Sequence, residues 1–250
     1  MLDEFKNEKF DVIIQAGQSN SSGSGFGDTE QPFEPSGDIW LMYPDLNMSM
    51  AKEQVYENKP VGNFSLSFAR EYVKGGGLQP GRKALILQSA VGGTGFWDKR
   101  WGLGDDLFVK MMEMTKAALS LNPANKPVAL IWHQGENEAF MGKTSDYYYD
   151  KLTTLVKTVR QTFCDNLPFV AGDFVPLWKK ENPANTATII SGAKKACADL
   201  GRAGFAETDG LLSNFEVGCG EPIESIHFCR DSLYKLGERY YNAYSKIIQG

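Results

Sequence analysis

Histidine is the scarcest residue in this 250-residue chain, with only His133 and His227 present. A base working near neutral pH must be one of these two, barring a carboxylate or lysine with a strongly displaced proton affinity. His133 and Glu136 stand at H-x-x-E spacing, but no further carboxylate–histidine cluster lies nearby, so no metal ligation is expected. Cysteine is also rare. Cys164, Cys197, Cys219 and Cys229 form no CxxC pair and no zinc-like spacing. A chain of this length folds without disulfides, so buried or incidental thiols are expected. A Cys219–Cys229 bridge stays open, because it would flank the segment around His227.

Long single-sign runs are missing too. The net charge is −5 and no basic run exceeds two residues, which argues against a phosphate-tracking surface and a nucleic-acid partner. No window approaches the roughly 18 to 20 apolar residues of a membrane span, so no membrane partner is expected. The N-terminus, MLDEFKNEKFD, is charged and lacks the apolar stretch of a signal peptide. That fits a soluble cytoplasmic protein, or a secreted one whose leader has been removed.

What is present is ample apolar material: 42% of residues are hydrophobic, enough for one sizeable core. Five short runs are continuously apolar: FDVIIQ (10–15), KALILQSA (83–90), KPVALIWHQ (126–134), LPFVAGDFV (167–175) and AGFAETD (203–209). Continuity, rather than alternation, predicts strands covered on both faces. Helical stripes lie between them. Tyr148, Leu152, Leu155, Val159 and Phe163 recur at helical steps within 147–163. Leu233, Leu236, Tyr240 and Ile247 do the same within 231–248, after Asp231 as N-cap. Weaker helices are expected at 63–74, 105–121 and 185–200. The alternation predicts a mainly parallel five-stranded sheet sandwiched by helices, in one domain spanning 1–250. Two long stretches, 17–62 and 209–226, break the pattern and read as functional or mobile loops.

In a parallel sheet, ligands sit beyond the carboxyl ends of the strands. The first run leads into AGQSNSSG, where Ser19 occupies a tight turn beside a glycine. This is not a GxSxG elbow, since position 21 is serine, and taken alone it is ordinary turn chemistry. The second run leads into QSAVGGTGFWDKRW, whose Gly92 and Gly93 permit close backbone approach and are followed by Trp97, Arg100 and Trp101. The third leads into WHQGENEA, where Gln134 offers a side-chain amide to an oxyanion. Near the end, Glu224 lies three residues before His227, a spacing that lets a carboxylate fix the imidazole tautomer. A nucleophile, donors, a base and its orienting acid at successive strand ends are what acyl transfer needs.

In that order, GQSNSSG, AVGGTGFW, WHQGENEA and Glu-x-x-His before LGERY resemble the SGNH-hydrolase superfamily over roughly residues 10–245. The likeness is to its branch of family 6 carbohydrate esterases and sialate O-acetylesterases. The resemblance implies a three-layer α/β/α, flavodoxin-like fold and a Ser–His–acid triad with no metal or organic cofactor. It implies Ser19 as nucleophile, His227 as base and Glu224 as acid, with Glu in place of the commoner Asp. It assigns the oxyanion to Ser19, to Gly92 or Gly93, and to Gln134, and it leaves Glu136 bracing the site. Asn20, Trp97 and Arg100 take supporting or substrate-binding places. The implied substrate is an O-acetylated carbohydrate, of xylan or sialate type. Two alternatives remain: a lipase-like or aryl esterase of the same superfamily, and a non-catalytic carbohydrate-binding protein.

Overall fold

The computed structural model describes residues 2–220 and 223–250. In chain order these form β1 (Phe10–Gly17), α1 (Ser19–Ser22), β2 (Ile39–Met42), β3 (Met48–Met50), β4 (Gln54–Tyr56), β5 (Lys59–Val61) and α2 (Phe64–Lys74). There follow β6 (Lys83–Gln88), α3 (Asp106–Ser120), β7 (Lys126–His133), α4 (Glu136–Phe140), α5 (Ser145–Phe163) and β8 (Phe169–Gly172). The chain closes with α6 (Pro176–Glu181), α7 (Pro183–Leu200), β9 (Ala203–Ala206) and α8 (Arg230–Gln249).

The main sheet has seven strands in the order β3-β2-β6-β1-β7-β8-β9, all parallel except β3. All five apolar runs became strands. The expected count of five is corrected to seven because β2 and β3 arise inside the first long stretch. Ile39–Met42 finds its hydrogen bonds on the far side of β6, and β3 folds back on it antiparallel. A separate two-stranded hairpin, β4–β5, also falls in that stretch.

β1 is buried at every residue and lies between β6 and β7, which explains its unbroken apolar character. The crossovers through α3, α5 and α7 all step the same way across the sheet. Their right-handed sense puts these three helices on one face. α2 and α8 pack against each other on the opposite face, with Phe64 against Tyr240 and Phe68 against Tyr244.

Helix starts follow local capping chemistry. Asn63 accepts from Ser65 N at 2.9 Å to open α2, and Thr144 accepts from Tyr147 N at 3.1 Å to open α5. The 185–200 prediction becomes α7, preceded by the separate short α6; each begins with a proline at its first position, where the missing N–H costs nothing. α8 begins at Arg230, with Cys229 rather than Asp231 at the cap; Asp231 lies within the first turn and bonds Thr29 and Lys235. The four cysteines are free thiols. Cys229 Sγ turns to Ser232 and Cys219 Sγ to the backbone of Val217, so the open Cys219–Cys229 bridge is not formed. No described helix is long and apolar enough to cross a membrane.

α8 approaches α2 most closely at Gly237, where a Cβ would lie 1.9 Å from Ser67 Oγ and 2.1 Å from the Phe64 carbonyl oxygen. Gly237→Ala must therefore part the two helices, and overpacking of this kind costs about 1 to 3 kcal/mol. For a chain of this size the melting temperature should fall by about 2 to 12 °C. Gly37→Ala, which meets nothing within 4 Å, should leave it unchanged in the same thermal scan.

Candidate active site

β1 ends at Gly17, whose φ of 129° is a left-handed conformation and whose Cβ would fall 2.1 Å from the His133 carbonyl oxygen. Only glycine fits there. The chain turns at once into α1, so Ser19 stands beyond the carboxyl end of the central strand. α1 has four residues, too few to hold itself. Buried carboxamides satisfy its carbonyls. Gln15 donates to Ser21 O, and Asn63 and Gln88 each donate to Ser22 O at 3.1 Å.

Across the cleft the loop before α8 presents His227. Its Nε2 lies 2.9 Å from Ser19 Oγ, and its Nδ1 lies 3.2 Å from Glu224 Oε2. Burial pushes the imidazole below its ordinary value, while the negative charges of Glu224 and Glu136 oppose that shift. Glu224 is partly exposed, at 42% of its side chain, whereas His227 retains 23%.

Asn20 ties the two sides together. Its Nδ2 donates to Glu136 Oε1 at 2.9 Å and to Ile226 O at 3.0 Å, and its Oδ1 accepts from Phe228 N at 3.1 Å. It thus grips the peptide groups on both sides of His227. Glu136 is fully buried. Burial alone would raise its pKa, but the His133 ring and the Asn20 amide outweigh this and hold it below the usual carboxylate range. His133 Nε2 is 3.6 Å from Glu136 Oε1, and its Nδ1 meets Tyr240 Oη at 3.0 Å. Among the described residues no group of three or more His, Cys, Asp or Glu side chains is placed to hold a metal ion.

The glycine turn sits beside Ser19. A Cβ on Gly92 would lie 3.6 Å from Ser19 Cβ, and Gly93 lines the same cleft. Gln134 is placed differently from expectation. Its side chain is buried, and its amide donates to Glu138, to Gln18 Oε1 and to Thr94 O, the last two at 3.2 Å. It braces the turn and does not line the cleft; the side-chain amides that do include Gln18, Asn137 on α4, and Asn182.

Trp97 and Arg100 are likewise turned away. Trp97 lies under the ammonium of Lys143 at 4.8 Å, and Arg100 forms a two-pronged pair with Asp106 at 2.8 and 2.9 Å. The cause is Glu138, which the sequence reading missed. Its buried carboxylate accepts from Phe96 N at 2.6 Å and Trp97 N at 3.0 Å, pinning the loop back. Burial raises its pKa, opposed by the Gln134 amide and these N–H groups. The cleft, of about 630 Å³, is walled instead by Phe140, Trp178, Phe215, Ile223 and Ile226. A larger hollow of about 750 Å³ between β9 and α8 is remote from Ser19 and His227.

Sheet order and a serine–histidine pair at the end of the central strand define an SGNH-like α/β/α hydrolase. The chain belongs to the carbohydrate esterase family of sialic acid-specific acetylesterases, which it matches over residues 9–246, and is therefore a carboxylic ester hydrolase. Solved structures that share the fold include the following three. NanS superposes with a TM-score of 0.76 at 18% identity, covering 97% of this chain and 98% of its own. An Arabidopsis thaliana protein gives 0.71 at 18%, covering 96% and 98%. A carbohydrate acetylesterase from Xanthomonas citri gives 0.65 at 17%, covering 96% of this chain and 57% of its own. No curated protein sequence matches the chain.

The Asn20 clamp carries its own test. Asn20→Asp exchanges one donor nitrogen for an acceptor oxygen, setting a carboxylate against Glu136 and Ile226 O. The loss should be about 3 kcal/mol at pH 7. It should shrink as pH falls and the new carboxyl takes up a proton, regaining a donor. Urea titrations at pH 7 and pH 5 read both effects.

Proposed function

We propose that the protein is a serine O-acetylesterase acting on carbohydrate, with Ser19 as nucleophile, His227 as base and Glu224 as the orienting acid. One observation carries this reading: the unbroken Ser19–His227–Glu224 chain at 2.9 and 3.2 Å, set in an accessible cleft. Family membership and the name of the Xanthomonas citri structure supply the acetyl and carbohydrate parts.

The chemistry runs in two steps. His227 Nε2 takes the Ser19 proton as Oγ attacks the ester carbonyl, and returns it to the departing sugar hydroxyl. Backbone N–H groups of Ser19 and of the Gly92–Gly93 turn face the developing oxyanion. Each such donor contributes about 3 to 4 kcal/mol in comparable sites. Water, deprotonated by His227, then attacks the acetyl-enzyme, and acetate leaves as Ser19 regains its proton. Gln134 supports the turn from behind and Glu136 acts through Asn20; neither reaches the reacting atoms.

The exposed apolar side chains Phe140, Phe215 and Ile223 at the cleft favour a second reading, an esterase for longer acyl chains. Nitrophenyl esters of two to eight carbons separate the two. The acetyl ester should give the highest kcat/KM, and an optimum at six or eight carbons would promote the second reading. In the same assay Ser19→Ala should lower kcat by about 10⁴- to 10⁶-fold. Residual turnover within tenfold of wild type would remove Ser19 from the mechanism.

The acid's role shows in the pH profile. Burial puts the acidic limb of kcat/KM below the ordinary histidine value. Glu224→Gln removes a charge that favours the imidazolium, so the limb should move to lower pH while kcat drops. The comparable change in a serine protease costs about 10⁴-fold. An unmoved limb would free Glu224 from the triad.

A further inference from the structure

The cleft has a charge character that its family's name does not anticipate. Among its described lining residues there are two carboxylates, Glu181 and Glu224, and no lysine or arginine. Glu181 closes α6 and accepts from Ser225 Oγ, which fixes its negative charge beside the triad acid. On its other side, His227 borders a smaller hollow of about 340 Å³, formed with Phe26, Gln54, Tyr56 and Asn214, and no described cation lines that space either.

Several basic side chains in the neighbouring segments are committed elsewhere, and the exposed Lys180, next to Glu181 on α6, does not line the cleft. Arg100 is paired with Asp106, Lys179 with Asp173, and Arg230 with Glu53; Lys143 sits over the rings of Trp97 and Tyr147. Recognition of a carboxylate in a partly desolvated site calls for a guanidinium or ammonium partner, which is why arginine dominates such sites. Here an anionic sugar would meet two like charges in a space walled by Phe140, Trp178 and Phe215, where screening is weaker than in bulk water. Apolar side chains with neutral amides such as Asn137 and Asn182 suit instead the hydroxyls and C–H faces of an uncharged sugar.

We propose that this site takes acetyl esters of uncharged sugars and discriminates against sialates and other carboxylate-bearing sugars. The inference rests on the esterase reading above and narrows its substrate.

The test uses one scaffold in two charge states: an O-acetylated sialic acid and its carboxyl methyl ester, with acetate release as the readout. An acetylated methyl xyloside and nitrophenyl acetate serve as neutral substrates. The methyl ester and the xyloside should each exceed the free acid in kcat/KM by about tenfold or more, and added salt should narrow the gap. Glu181→Gln should raise the ratio of kcat/KM on the free acid to kcat/KM on its methyl ester several-fold. Equal or higher kcat/KM on the free acid, with the neutral esters hydrolysed, would overturn the charge argument and leave the esterase reading standing. No turnover of any ester, nitrophenyl acetate included, would overturn both.

Discussion

A helix of four residues cannot by itself fix the position of Ser19, and the geometry of this site depends on how that deficit is met. α1 closes two helical bonds, from Ser22 N to Gln18 O at 2.8 Å and from Gly23 N to Ser19 O at 3.0 Å, which leaves its later carbonyls without helical partners. Gln15 from β1, Gln88 from β6 and Asn63 at the head of α2 supply the missing donors. Asn63 does this while its Oδ1 caps α2 and accepts from Gln15 at 3.1 Å. The end of α1 and the start of α2 are therefore set by one side chain. α2 packs on α8, whose first turn follows His227, so the constraint closes on itself from Ser19 through Asn63, α2 and α8 back to His227.

Three glutamates near the site show how environment divides one chemistry into separate tasks. Glu138 is buried among backbone N–H groups and anchors the glycine turn. Glu136 is buried against a histidine and an asparagine and holds a clamp in register. Glu224 alone is substantially exposed, and it faces the Nδ1 of His227. A buried carboxylate without partners would be costly, and both buried ones have donors within 3.0 Å. Placing these two charges in the interior leaves the turn and the clamp with little freedom, which is what a Ser19–His227 distance of 2.9 Å requires.

The parts of this arrangement visible in the sequence are those that repeat a local pattern. Continuous apolar runs marked the buried parallel strands, because each such strand is covered on both faces. β2 and β3 were invisible as strands: IWLM is four residues long and sits among glycines and prolines, and its pairing with β6 and β3 makes it a strand. At the site, the meeting of Ser19, His227 and Glu224 was legible through their spacing and their place at strand ends, and the structure brings them within 2.9 and 3.2 Å of one another. Gln134 was read as an oxyanion donor because an amide can donate to many acceptors, and the sequence does not say which one takes it. Trp97 and Arg100 were placed in the cleft by adjacency along the chain, whereas the bend that turns them away is set by Glu138, some forty residues later. The cleft walls went unread for a similar reason. Phe140, Trp178 and Phe215 lie on separate segments and share no motif.

The two histidines differ in a way that composition could not show. Tyr240 Oη donates its one hydrogen to Trp132 O at 2.8 Å, so the contact at 3.0 Å requires His133 Nδ1 to carry the hydrogen toward Tyr240. The remaining nitrogen faces Glu136, and the ring is fully buried. His133 does not line the cleft. His227 is arranged the other way: Nδ1 faces a carboxylate that is partly in solvent, and Nε2 faces a serine hydroxyl in the cleft. The Asn20 amide can take only one orientation between them. Both Glu136 and Ile226 O are acceptors, so Nδ2 must face them, and Oδ1 is left for the Phe228 N–H. The buried histidine and its glutamate thus fix the direction of an amide, and that amide fixes the backbone on which the exposed histidine stands.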